Sequence, residues 1–189
     1  MPLLVGLGNP GPTYRQHRHN VGFRVLERLH ERVGASEWRD KYAGLACKGV
    51  VSGRECALLK PGTFMNLSGR SVQKAMAQLG VPVGEVIVVH DDLDLALGDV
   101  RVKVGGGHGG HNGLRDISGL VGADYVRVRV GIGRPIVGSV EDFVLSPFRP
   151  DERPVIDAAI EQAAEAMEGL VGEGPARVMN KTNARPKKA

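Results

Sequence analysis

The spacing of hydrophobic and polar residues along this chain predicts a β-sheet interleaved with helices. Residues 3–7 form an apolar run of strand length that ends in a loop rich in glycine and proline. Apolar residues then recur at helical spacing over 21–33, and Gly34 stands where a helix C-cap is expected. Residues 86–89 are continuously apolar, which is typical of a central strand covered on both faces. The chain therefore predicts a sheet with helices on both sides.

Further elements follow from the same patterns. Two strand-like runs, about 43–51 and 55–59, flank a Ser-Gly-Arg turn that predicts a hairpin. Helical spacing predicts a helix that stops at Gly80 and a short helix over 114–120. An amphipathic helix is predicted over about 151–171, with acidic residues in its first turn where the helix dipole favours them. This order of elements indicates an α/β fold with a mixed central sheet flanked by helices.

Two later runs, 100–104 and 126–130, alternate strictly between valine and a cation. Because side chains alternate across a strand, each run sends its valines to one face and its cations to the other. If the two strands are neighbours, the cations make one basic surface, which is either an ordinary solvated face or a track for phosphates. The four cations are Arg101, Lys103, Arg127 and Arg129.

Length and composition refine this picture to one globular domain over residues 1–174. At 189 residues, with 42% hydrophobic and 24% charged residues, the chain can bury a core without disulfides. Its two cysteines, Cys47 and Cys56, lack metal-ligand spacing and are expected to be reduced thiols in a cytoplasmic protein. No apolar run approaches membrane-spanning length, and the start lacks the charged segment of a secretory signal.

Charge is distributed unevenly, although the formal net charge is only +4. Residues 151–174 hold seven acidic residues against one arginine, whereas residues 175–189 hold five cations and no acidic residue. The last segment is therefore expected to be a basic, mobile C-terminal tail. A basic body with a basic tail favours a polyanionic partner, with a solubilising surface as the alternative.

Polar side chains collect near the ends of the predicted strands, which is the edge where α/β sheets usually hold ligands. One of the loops, 105–113, has six glycines in nine positions and therefore allows close approach of backbone to a ligand. Histidine with aspartate, and no serine or cysteine in a nucleophile motif, indicates a general base that activates water. The side chains concerned are Asn9, His19, Asn66, His90, Asp91, His108, His111 and Asn112.

Two nucleotide-binding patterns overlap the first loop, and neither fits well. Residues 6–11 match G-x-G-x-x-G, but Pro10 and Pro12 lack the N–H groups that a pyrophosphate cradle needs. The following helix also begins about ten residues too late for its dipole to meet a phosphate. The same spacing suits a P-loop, but in Pro12-Thr13 a proline stands where the lysine of Lys-Ser/Thr is required.

Metal binding is a further alternative, because several histidines lie near the predicted loops. His17, His19, His108 and His111 together with Asp91 would offer ligands to a divalent ion. Their spacing fits no known ligand signature, so we expect a reaction without a metal ion or cofactor.

Five motifs occur in order along the chain: GNPG at 8–11, RHN at 18–20, KPGTFMNLSG at 60–69, HDDLD at 90–94 and GGGHGGHNG at 105–113. Together they resemble the motifs of bacterial peptidyl-tRNA hydrolase. The resemblance is dense over residues 3–134 and looser through the C-terminal helix. No departure falls at a position that the family uses for chemistry.

The resemblance implies a hydrolase that cuts the ester between a peptide and the 3′ ribose of tRNA, which recycles tRNA from stalled translation. It implies that His19 takes a proton from water, while Asp91 orients the ring and stabilises the imidazolium. It also implies that Asn9 separates N-blocked peptidyl groups from free aminoacyl groups. The other residues that we expect against the substrate are Tyr14, Phe64, Met65, Asn66, His111 and Asn112.

On the RNA side, we expect Lys103 and Arg129, with Arg101 and Arg127 behind them, to contact tRNA phosphates. Such contacts would give salt-sensitive binding that is independent of sequence. The enzyme is expected to be a cytoplasmic monomer. A non-catalytic RNA-binding protein on the same scaffold is the leading alternative, but a binding module has no use for an oriented histidine base.

Overall fold

A computed structural model describes residues 1–186 and confirms the predicted α/β class, with a mixed sheet and helices around it. The strands are β1 (Leu3–Gly6), β2 (Arg39–Lys41), β3 (Gly44–Val51), β4 (Arg54–Pro61), β5 (Val86–Asp92), β6 (Val100–Val104) and β7 (Val126–Gly131). The helices are α1 (Val21–Val33), α2 (Ser68–Leu79), α3 (Asn112–Val121), α4 (Val140–Val144), α5 (Arg153–Glu173) and α6 (Pro175–Thr182). Among these described residues, no helix combines the length and the apolar character that crossing a membrane requires.

The seven strands lie in the order β2-β3-β4-β1-β5-β7-β6. β1 is parallel to both β4 and β5, and β5 is parallel to β7, whereas β2, β3 and β4 pair antiparallel, as do β6 and β7. After β1 the chain forms β2, β3 and β4 on one side of β1, and β5 then pairs with β1 on its other side. The carboxyl end of β1 is therefore a topological switch point, the place where open α/β sheets bind ligands.

Helices cover both faces of the sheet, as the apolar run in β5 predicts. On one face, Leu26 of α1 and Ala163 of α5 share a buried core with Val89. On the other face, Val72 of α2 shares a second buried core with Val88. Successive residues of β5 thus face opposite cores, which holds the polar carboxyl end of this strand in a fixed position.

The start of α1 packs against β1 more closely than a side chain would allow. A Cβ atom at Gly22 would lie 2.6 Å from the backbone oxygen of Leu7, and one at Gly6 would lie 2.4 Å from the backbone oxygen of Gly22. A Cβ atom at Gly8 would lie 2.7 Å from the ring of Phe23. The first glycines of the G-x-G-x-x-G pattern therefore allow this loop to pack against its own helix, and no dinucleotide is needed to explain them.

Replacing Gly22 by Ala is expected to destabilise the protein by about 1–3 kcal/mol, because the nearest atoms to the added methyl group belong to the backbone. Chemical denaturation checks this as a lower free energy of unfolding. Gly84→Ala is the matched control, since a Cβ atom at Gly84 meets nothing within 4 Å. Equal stability of the two variants would contradict the close-packing argument.

Three of the elements that precede α6 differ from the sequence predictions. Strand β2 and helix α4 lie where no element was predicted. Helix α5 begins at Arg153, so Asp151 and Glu152 precede its first turn instead of lying within it. Pro154 near the start suits this boundary, because proline is tolerated in the first turn of a helix. Glu152 is buried and forms an ion pair with Arg18.

The segment 175–189, predicted as a tail, contains helix α6 as far as Thr182. Val178 of this helix is buried in the core that α5 shares. The carboxamide of Asn183 bonds both the N–H and the C=O of Val102, at 2.9 Å each, and so pairs with the edge strand β6. Residues 187–189 lie outside the described part of the chain, and the domain boundary at 174 stays a prediction.

Candidate active site

Three segments meet at the carboxyl ends of β1 and β5. A 3₁₀ turn, Arg18–Asn20, carries His19; β5 ends in Asp91 and Asp92; and the glycine-rich loop brings His111 to the start of α3. The two oxygens of the Asp91 carboxylate lie 2.7 Å from His19 Nδ1 and 2.7 Å from His111 Nε2. Polar groups that the sequence predicts at separate strand ends therefore converge on one carboxylate.

These contacts indicate which nitrogen of each ring carries a proton. His19 donates through Nδ1 to Asp91, which leaves Nε2 with a lone pair. His111 donates through Nε2, and its Nδ1 accepts from the backbone N–H groups of Gly113 and Leu114 at the start of α3. Both nitrogens of His111 are thus engaged, whereas His19 keeps one nitrogen free to accept a proton.

The electrostatics of the pair favour a basic imidazole. Burial is the largest influence on the pKa of His19 and lowers it, but the charge and the hydrogen bond of Asp91 together raise this pKa above its ordinary value. Burial also favours a raised pKa for Asp91, but the two neighbouring imidazoles hold that pKa well below its usual range. Asp91 is therefore ionised at neutral pH, and His19 is a stronger base than a free histidine.

His90 is the third imidazole of this cluster, and it is a much weaker base. Its ring is buried, its Nδ1 donates to the backbone oxygen of Asp91 at 2.7 Å, and its centroid lies 5.2 Å from that of His111. Burial, followed by the neighbouring His111, lowers the pKa of His90 to about 4. His90 is therefore neutral near pH 7, and its affinity for a proton is below that of His19.

Asn9 and Asn20 lock the first loop in place. The backbone N–H of Asn9 donates to Asn20 Oδ1, and Asn20 Nδ2 donates back to the backbone oxygen of Asn9, both at 2.9 Å. Asn9 Oδ1 accepts from the backbone N–H of Met65 at 2.7 Å. Within residues 1–186 no acceptor bonds the Nδ2 group of Asn9, which lines the cleft. Asn20 belongs to a predicted motif, but its role in fixing Asn9 was not predicted.

Asn9, His19, Asp91 and His111 line one cleft of about 910 Å³. The cleft brings together all predicted catalytic and substrate-binding residues and three of the four predicted phosphate-binding cations, whereas Arg101 does not line it. Residues 140–145 contribute a wall that was not predicted, because the sequence indicated only a loop there. The predicted residues that line the cleft are Asn9, Tyr14, His19, Phe64, Met65, Asn66, Asp91, Lys103, His111, Asn112, Arg127 and Arg129.

The two alternating strands are neighbours, as the predicted basic surface requires. Their antiparallel register places Arg101 opposite Arg129 and Lys103 opposite Arg127. Lys103 is exposed, and Arg129 at the cleft donates to a carboxylate oxygen of Asp92 at 2.8 Å. A contact of Lys103 or Arg129 with phosphate stays a prediction.

Arg101 and Arg127 are nearly buried and have protein partners. Arg101 donates to Asp99 and to backbone oxygens that follow α6. Arg127 stacks on Tyr125, with its guanidinium carbon 4.4 Å from the ring centroid, and donates to backbone oxygens of the glycine-rich loop. Both cations thus hold local structure together, and a contact of either one with phosphate stays a prediction.

The histidines grouped as possible metal ligands come together only in part. His19, Asp91 and His111 place ligand atoms within 4.8 Å of one another, and no other such group occurs in the part of the chain that the structure describes. His17 and His108 are not members of this group. Because both imidazoles direct a nitrogen at the same carboxylate, the geometry is that of hydrogen bonding around Asp91.

Comparisons with known proteins agree with the motifs that form this site. A family model described as "Peptidyl-tRNA hydrolase" matches residues 3–189. Relatives with that name from Sorangium cellulosum and Geobacter sulfurreducens are each 48% identical, over 99% and 96% of this chain and 86% and 94% of their own lengths. A crystal structure of peptidyl-tRNA hydrolase from Acinetobacter baumannii superposes with a TM-score of 0.93 at 38% identity, and it covers 100% of this chain and 97% of that chain.

Proposed function

This chain belongs to the peptidyl-tRNA hydrolase family and is a hydrolase, and we propose that it cleaves the ester bond between a peptide and the 3′ ribose of tRNA with His19 as its general base. The observation that carries the proposal is the 2.7 Å contact between His19 Nδ1 and Asp91, which leaves the other ring nitrogen free in a large cleft. The reaction releases the peptide and a tRNA that can be charged again.

The reaction begins with a water molecule beside Nε2 of His19. The imidazole takes a proton from this water as the water oxygen attacks the ester carbonyl carbon, and Asp91 stabilises the imidazolium that forms. The tetrahedral intermediate then collapses, the bond to the 3′ oxygen breaks, and His19 gives its proton to that oxygen. The peptide leaves as a carboxylic acid, and both side chains return to their starting protonation states.

Asn66 and Asn112 supply donors for the negative charge that develops on the carbonyl oxygen. Asn66 lies in the 3₁₀ turn before α2, Asn112 opens α3, and both line the cleft. Neither side chain bonds another group among residues 1–186. Their carboxamide N–H groups are therefore available to an oxyanion, which such oriented dipoles stabilise.

Asn9 provides the selectivity for N-blocked substrates. Because its Oδ1 is held by the backbone N–H of Met65, its carboxamide presents Nδ2 as a donor to the cleft. A peptidyl group offers a carbonyl oxygen to this donor, whereas an unblocked aminoacyl group has an ammonium there, which can only donate. A site built to pair a polar group rejects the substrate that leaves it unpaired.

The proposal is tested by measuring tRNA release from N-acetylaminoacyl-tRNA and from unblocked aminoacyl-tRNA, each with and without a chelator. We expect rapid cleavage of the blocked substrate alone. Binding of tRNA with cleavage of neither substrate would favour the RNA-binding module. Loss of cleavage only when the chelator is added would favour a metal-dependent esterase.

We further propose that Lys103 and Arg129 bind tRNA phosphates. Replacing both by Ala is expected to weaken tRNA binding and to reduce the slope of log K against log salt by about two, because two phosphate contacts are lost. A titration of binding over a range of salt concentrations measures this slope. Lys48→Ala, which removes an exposed cation of β3, should leave the slope unchanged. An unchanged slope in the double variant would remove both residues from the tRNA contact surface.

The protein is also proposed to act as a monomer in the cytoplasm, where translation generates peptidyl-tRNA. The support for a monomer is that one chain supplies the base, its carboxylate partner and the walls of the cleft. Sedimentation analysis of the active enzyme measures the oligomeric state.

A further inference from the structure

The 3₁₀ turn that carries His19 is bonded to three distant parts of the chain. His19 bonds Asp91 at the end of β5, and Asn20 bonds the backbone of Asn9 in the first loop. Arg18, the third residue of the turn, bonds Glu152 just before α5. No side chain among the described residues caps the N-terminal end of this turn. Its orientation therefore depends on these tertiary contacts, and the proposed reaction mechanism already uses the first of them.

The contact between Arg18 and Glu152 is a bidentate, buried ion pair. The Arg18 guanidinium nitrogens lie 3.1 and 2.9 Å from the two carboxylate oxygens, and the residues are only 4% and 8% exposed. The guanidinium carbon also lies 4.3 Å from the ring centroid of Phe143 and 5.1 Å from that of Phe148. A rigid pair of charges, enclosed by aromatic rings, thus lies one residue from His19.

Arg18 also connects the turn to the wall of the cleft that α4 provides. The backbone N–H of Arg18 donates to the backbone oxygen of Ser146 at 2.9 Å, and its Nε donates to the Ser146 hydroxyl at 3.3 Å. His17 and Pro147 form an isolated β-bridge beside these bonds. Helix α4, whose residues Val140, Glu141 and Val144 line the cleft, therefore lies in a segment that Arg18 fastens to the turn.

Stability alone is a weak explanation for such a pair. Desolvation of two buried charges offsets much of their attraction, and apolar residues of similar volume often hold the same space without loss of stability. Apolar side chains would not reproduce the planar, two-point contact that fixes a guanidinium in one orientation. The ion pair thus offers precise placement, and placement of a general base strongly affects the rate of a reaction.

We propose that Arg18 and Glu152 are positioning residues, which hold the turn 18–20 against the cleft wall so that His19 meets the attacking water. Neither side chain lines the cleft, so both act through His19 and not on the substrate. This inference rests on the proposed function of His19 as the base.

The test variant combines Arg18→Met with Glu152→Leu, which keeps the volume and removes both charges together. With N-acetylaminoacyl-tRNA, we expect kcat to fall about tenfold to a hundredfold while KM changes little, because substrate contacts remain and only the base is misplaced. We expect the melting temperature to stay close to that of the wild type. A folded variant with wild-type kcat would overturn the inference, and so would a loss that lies entirely in KM.

Arg18→Lys is the second variant, and it decides the question if the double variant does not fold. It keeps the charge but loses the bidentate contact, so kcat should lie between those of the wild type and the double variant. An unchanged kcat would overturn the inference.

The control combines Arg28→Gln with Glu161→Gln, which removes a surface ion pair of 2.6 Å between α1 and α5. Its kcat should equal that of the wild type. An inactive wild type would defeat the proposed function itself. Full activity in the wild type, the control and the Arg18 variants would defeat the positioning role alone.

Discussion

Replacing His19 by Ala is expected to lower the rate of N-acetylaminoacyl-tRNA hydrolysis by about 10²–10⁴-fold, which is the usual contribution of a general base. The neighbouring imidazoles offer no substitute: both nitrogens of His111 are hydrogen-bonded, and His90 is a far weaker base. Water in the variant would therefore attack the ester without losing a proton to a side chain. The measurement is the initial rate of tRNA release at saturating substrate.

Two controls make this result specific to catalysis. The His19→Ala enzyme should bind tRNA as tightly as the wild type, because its cations are unchanged. His30→Ala should retain the wild-type rate, since His30 stacks on Trp38 and bonds the backbone oxygen of Ser36 at the far end of α1. A wild-type rate in His19→Ala would remove this histidine from the mechanism.

Asp91→Asn is expected to reduce the rate by a similar factor, about 10²–10⁴-fold. The two imidazoles bond different oxygens of Asp91, and a carboxamide keeps an oxygen at only one of these two positions. The amide group would face a ring nitrogen as a second donor, which disturbs the tautomer of His19 or of His111. Rates are compared at a pH above the pKa of His19, so that protonation of the base does not contribute. A wild-type rate in the Asp91→Asn enzyme would show that neither ring needs the carboxylate.

The same substitution should move the acid limb of the pH–rate profile to lower pH. In the wild type, the charge of Asp91 raises the pKa of His19, so the base loses its proton only above the ordinary pKa of histidine. Without that charge, burial remains, and burial lowers the pKa of an imidazole. Asp99→Asn, which alters a buried acid paired with Arg101, should leave the limb in place. An unmoved limb in Asp91→Asn would mean that another charge sets the basicity of His19.

The edge of the sheet that collects the polar side chains could be predicted from two apolar strands. Residues 3–7 and 86–89 identify two buried strands, and parallel neighbours deliver their following residues to the same edge of a sheet. These patterns explain why polar residues that follow the two strands lie at one edge, whereas the pairing of His19 with Asp91 was implied by the family resemblance. The predicted class of fold is confirmed for the same reason.

His111 shows where this reasoning reaches its limit. The sequence assigns it to a glycine-rich loop and to the substrate, whereas the structure also bonds it to Asp91 and to the start of α3. Six glycines in nine positions leave the backbone many conformations, so the path of the loop depends on tertiary contacts. Arg127 supplies some of them from the neighbouring strand.

The sequence predictions for the alternating strands were incomplete for another reason, and the Arg18 ion pair was not predicted at all. Alternation shows that Arg101 and Lys103 share a face of β6, but it does not show that the segment after α6 covers Arg101. Arg18 and Glu152 are 134 residues apart, and no local pattern connects them. Contacts between distant segments need the three-dimensional arrangement, and here they include those that position the proposed base.

The most direct test of this account is the rate of a single turnover of N-acetylaminoacyl-tRNA by the wild-type enzyme, measured from pH 5 to 9 in the presence of a chelator. If His19 beside Asp91 is the base, the rate should rise with pH through one ionisation and level off, with a midpoint above about 6.5, the ordinary pKa of histidine. A rate that is independent of pH over this range, or that disappears with the chelator, would contradict the account.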